Sequence, residues 1–501
     1  MKEINKLVNL ITNGLKSSFG VIDLSGRVEN PGKEQQLYNG VVQGLYSTDE
    51  ITAKGMYDTD MYDQRFRMLK SRLRYKLYDL IYHLDFEVPK YSFRIQKQLE
   101  CKDNLHKASI LYELGEYDMA EKLFNKVIVI GNDCHLTSEL IDALELRRKV
   151  LARSFKPTDF DHSINELNDL RRKKVFEIEA EDIFLKVEML LSKSIHSRNI
   201  SIDETREAIA KLEGYYHETY SFQIFNFIYH LKVWLLLLEK DFSGLLGFLE
   251  QTEVDVTKMS VNLGMFDFQG NNMLKAKCCL FLGEYGNGME ITRSSCQSID
   301  KSIEIWFDHA EIHFLLAMHG RFYKEAKKIL GLVFKNPSLS RMDEGVTHRW
   351  KLFRHYLNFA APSLQIQKRI RVNDSRKASN YYFKEAKGYK ISLFILEFIH
   401  AYNREGLLSA DSRMESLEEF FETELNDPGK YARERQLIKM IRMLKASNYK
   451  MTDDNKACQY LDRMSERKGI NAFADPEIIP YEDLWDILCR TLGVNVESNT
   501  H

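Results

Sequence analysis

The chain has only eight prolines in 501 residues, at positions 31, 89, 157, 337, 362, 428, 476 and 480, and none between 158 and 336. Inside a helix, proline removes a backbone donor and clashes with the preceding turn, at about 3 kcal/mol. A chain this poor in proline is free to be helical over long stretches. Its prolines then mark segment ends, and the interval 158–336 is where an array of helices runs least interrupted. Hydrophobic residues make up 44% of the chain, enough for a core, which excludes global disorder.

Periodicity points the same way. Phe66, Leu69, Leu73, Leu77, Leu80 and Leu84 recur in steps of three and four, predicting one helix of about six turns with a single apolar stripe. Ile391, Phe394, Ile395, Phe398, Ile399 and Tyr402 repeat the pattern, as do Leu437, Ile438, Ile441 and Leu444. The β-branched run Lys126-Val127-Ile128-Val129-Ile130 continues a helix. The expected fold class is all-α.

A short motif recurs within this helical context. Leu114-Gly115-Glu116-Tyr117 is followed by Ala120 and Phe124 and preceded by Ala108 and Leu111. Leu282-Gly283-Glu284-Tyr285 returns with Ala276 and Cys279 before it and Gly288 in place of the second alanine. Two degraded copies read Glu239-Lys240-Asp241-Phe242 and Phe322-Tyr323-Lys324-Glu325-Ala326, the latter with Gly320 one residue out of register. Glycine relieves strain at a tight turn, and small residues let paired helices approach closely. On these residues, Gly115, Tyr117, Ala120, Gly283 and Tyr285 above all, the chain resembles tetratricopeptide-repeat-like helical proteins. The resemblance implies a right-handed α-α superhelix, a solenoid in which neighbouring helix pairs bury one another's apolar faces. The expected organisation is an N-terminal helical domain at 1–95, tetratricopeptide-like repeats at 96–360, and C-terminal helical repeats with a cap at 361–501. In that cap Pro480 sets the entry to a last helix, and Trp485 packs.

Taken whole, the chain also resembles an uncharacterised Bacteroidetes-type helical-repeat group. That likeness rests on Leu37-Tyr38-Asn39-Gly40 with Thr48-Asp49-Glu50, on Leu69-Lys70-Ser71-Arg72-Leu73, and on Ile479-Pro480-Tyr481-Glu482-Asp483-Leu484-Trp485. No activity carries over from it.

Charge narrows the partners. Lys and Arg number 71 against 73 Asp and Glu, so no whole-chain field draws the protein to nucleic acid or anionic membrane. Seven cysteines stand without paired zinc-ribbon spacing or a disulfide framework, which fits reduced, buried thiols. No apolar leader follows Met1, and the most apolar stretch, Phe225–Leu238, is interrupted by Asn226, His230 and Lys232. It reads as a buried helix, so no membrane is expected, and the expected location is cytoplasmic.

Local chemistry is sparse. His309 and His313 share a helical face but lack a third ligand, and read as structural. Cys134-His135 are sequence neighbours, unlike a catalytic pair drawn from separate elements. No phosphate-binding glycine loop or nucleophile elbow is present. The expectation is no enzyme and no cofactor.

The sharpest candidate lies at 34–84. A helix from Glu34 to about Tyr46, a short one capped by Ser47 with Glu50, and a basic one carrying Arg65, Arg67, Lys70, Arg72, Arg74 and Lys76 trace a helix-turn-helix outline. Only Asp63 lies nearby in sequence to oppose these cations. They are the possible nucleic-acid contacts, with Gln64 or an Arg on base edges. A second basic cluster (Lys368, Arg369, Arg371, Arg376, Lys377) and an acidic–basic hairpin (Glu415, Glu418, Glu419, Glu422, Glu424 against Lys430, Arg433, Arg435, Lys439, Arg442, Lys445) complete the inventory. The expected function is a non-enzymatic protein- or peptide-binding scaffold or assembly subunit. The alternative is a nucleic-acid-binding regulator with a ligand-sensing repeat domain.

Overall fold

A computed structural model describes residues 1–14, 32–81, 84, 92–155, 157–191, 198–364, 387–404, 407–424, 432–446, 459–463 and 477–492. These residues are helical, joined by short turns. Packing divides the chain into two compact units, Met1–Lys126 and Val127–His501.

The first unit contains α1 (Lys2–Gly14), α2 (Lys33–Val42), α3 (Asp49–Tyr57), α4 (Gln64–Ile81), α5 (Phe93–Glu113) and the start of α6 (Tyr117–Asp133). Ile4, Leu7, Val8 and Ile11 of α1, spaced for one helical face, meet Leu37, Tyr38 and Val41 of α2 and Leu69, Leu73, Leu77 and Leu80 of α4 in one core. The stripe expected from Phe66 onward is thus the buried face of α4. The helix ends at Ile81, before Leu84.

The second unit runs through α7 (Thr137–Arg153), α8 (Pro157–Leu191), α9 (Arg198–Thr219), α10 (Phe222–Glu239), α11 (Phe242–Lys258), α12 (Phe268–Leu282), α13 (Tyr285–Ser298), α14 (Glu304–His319), α15 (Tyr323–Lys335) and α16 (Glu344–Ala360). Each packs on the next, while α8 also touches α10 and α12 touches α14. Contacts between alternate helices are those of a repeat array, in which each pair covers its neighbour.

One turn geometry recurs at five junctions between consecutive helices, α5–α6, α6–α7, α10–α11, α12–α13 and α14–α15. Gly115, His135, Lys240, Gly283 and Arg321 each adopt positive φ, between 51° and 83°. In each case the next residue's N–H donates to a carbonyl five residues back: Glu116 to Leu111, Leu136 to Gly131, Asp241 to Leu236, Glu284 to Cys279 and Phe322 to Ala317. This is the Schellman closure, which satisfies carbonyls that a helix end leaves open. The following helix begins two residues after the left-handed residue every time, at Tyr117, Thr137, Phe242, Tyr285 and Tyr323. Five residues after it comes a buried side chain or glycine: Ala120, Leu140, Leu245, Gly288 or Ala326. At Gly288 an added Cβ would stand 2.7 Å from Leu316 Cδ2 and 2.9 Å from the Cys279 Cβ, so the close approach inferred for that position is real. The misplaced Gly320 is also explained. Arg321, not Gly320, takes the left-handed turn, and Tyr323 keeps its register to it.

A single core extends from Ala276 in α12 to Cys489, crossing the expected segment boundary at 360. It includes Trp306, Trp350 and Trp485, all fully buried, and helices Lys387–Arg404, Leu407–Glu424, Ala432–Ala446 and Tyr481–Leu492. Trp485 therefore packs. Ahead of the last helix, residues 477–483 form a strap. Arg433, itself largely buried, holds Glu477 (2.6 Å) and Glu482 (2.7 Å) together. Glu477 accepts the Tyr481 N–H (3.0 Å), and the His319 ring donates to the Glu477 carbonyl (2.6 Å). Arg321, at the α14–α15 turn, grips both oxygens of Asp483 at 3.1 and 2.6 Å. The charged hairpin pairs in part: Arg442 meets Glu418 (3.0 Å) and Glu422 (3.2 Å), and Lys445 meets Glu415 (3.9 Å). Lys430 and the 368–377 basic cluster lie outside the described residues.

Candidate functional site

The α2–α4 segment forms three helices, with boundaries that differ from the sequence reading. Gly44, at φ 74°, ends α2 at Val42, and Leu45 N–H closes the turn on the Gly40 carbonyl. Tyr46 is therefore in the loop, and its ring fills space that a side chain at Gly40 or Gly55 would need. Thr48, not Ser47, caps α3; its hydroxyl accepts from Ile51 N–H at 3.4 Å. Ser47 lies one residue too early, its carbonyl accepting from the Asn5 amide (3.4 Å). Asp63 opens α4 by accepting from the N–H groups of Arg65 (2.7 Å) and Phe66 (3.4 Å). The link 58–63 between α3 and α4 is longer than the 3–4-residue turn of a helix-turn-helix.

Four of the six basic side chains on α4 meet carboxylates. Arg65 pairs with Asp63 (2.9 Å), Lys70 with Asp49 (2.6 Å), Arg74 with Glu3 (3.7 Å) and Lys76 with Glu34 (2.5 Å). Three of these acids come from α1, α2 and α3, distant in sequence and brought in by the core. The Arg65 hydrogen bond holds the Asp63 carboxyl down at about 2. Burial opposes ionisation of Asp49, yet the hydrogen bonds from Lys70 and the Met1 amine bring it below its ordinary value. The Tyr78 hydroxyl, donating at 2.7 Å, and then Arg74 lower Glu3. Arg67 and Arg72 are exposed and have no ion pair among the described residues.

Opposite its buried stripe, α4 presents an outward ridge that sequence reasoning missed. Gln64, Met68, Ser71 and Tyr75 follow one another at steps of four, three and four, all exposed. Tyr75 and, in the link before α4, Tyr62 are each 71% exposed, and Met68 is 48% exposed. Arg67 and Arg72 flank the ridge. The signal was in the sequence as a second stripe on the same helix, hidden by the stronger core stripe. Tyr, Met and Arg are the residues enriched where protein interfaces carry their energy.

The other singled-out residues are structural in placement. Gly115 and Gly283 form turns, Ala120 is buried at the close approach, Tyr117 stands 5.5 Å from the Tyr112 ring, and Tyr285 lies edge-on to His319. His313 shares a 2.8 Å hydrogen bond with Thr292, while His309 is fully buried. No group of three or more His, Cys, Asp or Glu able to hold a metal occurs among the described residues. Cys278 and Cys279 are buried, and burial pushes their thiols up to about 12 and about 11, leaving them unreactive. The His135 ring contacts the Ser260 carbonyl at 2.9 Å, away from any nucleophilic pairing with Cys134. No described helix is long and apolar enough to cross a membrane.

No family model, curated protein or solved structure matches the chain.

Proposed function

We propose that this is a non-enzymatic helical-repeat protein that binds a protein or peptide partner, as a scaffold or assembly subunit. Its stacked pairs wind as a right-handed, tetratricopeptide-like superhelix. The observation that carries the reading is the α4 face. Carboxylates occupy most of its cations, and what remains outward is Met68 and Tyr75 beside Arg67 and Arg72, with Tyr62 exposed just ahead of the helix. Aromatic and Arg anchors on a rigid helix suit a protein surface. A phosphate backbone asks instead for many free cations.

The regulator reading keeps one favourable observation, the three consecutive helices ending in a basic one. A pull-down from native host lysate decides between the two. A reproducible protein captured by the wild type and lost with Tyr75→Ala plus Arg67→Glu supports the scaffold. No reproducible protein, with salt-sensitive retention on random DNA that Arg67→Glu and Arg72→Glu abolish, supports the regulator.

A further inference from the structure

The second unit carries a different unpartnered face. The 35 residues of α8 make it far longer than α7 and α9, the helices packed beside it, which have 17 and 22. Its inner side is fixed by Ala180, Val187 and the buried Glu177, whose carboxylate accepts from the Thr137 (2.8 Å) and Ser221 (2.6 Å) hydroxyls. Its outer side carries Val175, Ile178, Leu185 and Met189, exposed by 56%, 48%, 49% and 54%. With Asp182 they follow the 3-4-3-4 spacing of a heptad seam over about 21 Å of helix. A solvated helix face has no reason to place four large apolar side chains in register. Such a seam is what a second helix packs against.

Charge selects the occupant. Asp182 sits within the seam, Glu181 and Glu188 line one side, and Glu179 lies on the other, where it accepts from Tyr215 (2.6 Å). Glu181 and Asp182 have no cationic partner among the described residues, and Lys186 is the one basic residue from 178 to 189. Two copies of this seam would set acid against acid, which argues against self-association. We infer that α8 docks an amphipathic helix of a partner protein, with an apolar stripe laid on Val175, Ile178, Leu185 and Met189 and Lys or Arg flanking it. This rests on the interaction-protein reading above and names a class of partner. A single helix buries an area at the low end for specific complexes, so binding is weak and reversible.

The test uses the full chain and two synthetic peptides of three heptads, both with Leu at the seam positions, one flanked by Lys and one by Glu. Fluorescence anisotropy should show the Lys peptide binding at least about tenfold tighter than the Glu peptide, and weakening several-fold between about 0.05 and about 0.3 M salt. Ile178→Asp with Leu185→Asp, both at exposed positions, should cost at least about tenfold with an unchanged helical circular dichroism spectrum. Glu181→Lys with Asp182→Lys should reverse the preference toward the Glu peptide. Equal affinity for both peptides, no binding of the Lys peptide, or indifference to the seam substitutions overturns the inference. So does a dimer in sedimentation velocity that the seam substitutions dissolve. None of these outcomes involves α4, so the inference fails separately from the lysate capture.

Discussion

His309 is fully buried, and burial holds its pKa down at about 4, against an ordinary 6.5. The unfolded chain therefore takes up the proton first. The contribution of neutral His309 to stability is complete above about pH 6.5 and is lost as pH falls toward about 4, amounting to about 2 kcal/mol between pH 7 and pH 5. His309→Leu should remove that share of the acid sensitivity in urea titrations at the two pH values. An unchanged pH dependence would show that the ring is not desolvated as described. Gly288 and Gly247 give a paired test of packing. A methyl at Gly288 meets the Cys279 Cβ, which cannot swing aside, so Gly288→Ala should destabilise by about 1–3 kcal/mol. Gly247 sits exposed in α11 with nothing within 4 Å, so Gly247→Ala should stabilise by about 0.5–1 kcal/mol. Opposite signs in one denaturation assay would separate close helix approach from propensity.

At the scale of the element, the helices were legible because a 3.6-residue period needs only local sequence. The four described prolines agree: 157 opens α8, 337 and 362 open single 3-10 turns, and 480 directly precedes the last helix. The repeat turns were legible where glycine marks them, and at the degraded copies around Lys240 and Arg321 through the residues that follow; the turn at His135 was not. His135, Lys240 and Arg321 adopt the same left-handed turn at a cost of about 1 kcal/mol, which the Schellman hydrogen bonds and following helix offset, so the turn residue itself carries no signal there. The strap was legible as a cap but not as a clamp, because its partner Arg433 lies 44 and 49 residues away from Glu477 and Glu482. Arg433→Ala would leave two carboxylates facing each other in a half-buried site. It should lower stability by about 3 kcal/mol or more, read as an earlier unfolding midpoint. Arg433→Lys should recover only part of that, since one ammonium cannot hold two carboxylates through a planar fork.

For the whole molecule, the question is what near-neutral charge permits once the chain is folded. In the sequence α4 is a cluster of six cations with one acid beside it. In the fold, Glu3, Glu34 and Asp49 arrive from α1, α2 and α3, and among the described residues only Arg67 and Arg72 meet no carboxylate. The candidate site was legible as residues and illegible as a field, because the cancelling charges are placed by tertiary packing. This difference is measurable. A module that neutralises 6–10 phosphates loses about 10³–10⁵ in affinity between 50 and 200 mM salt, whereas two free cations predict only about tenfold. Binding of the full chain to random duplex DNA across that range should therefore show, at most, the shallow slope. A steep slope, flattened when Arg65, Lys70, Arg74 and Lys76 are replaced by Gln, would mean that those ion pairs open for phosphate and that α4 is a nucleic-acid face after all.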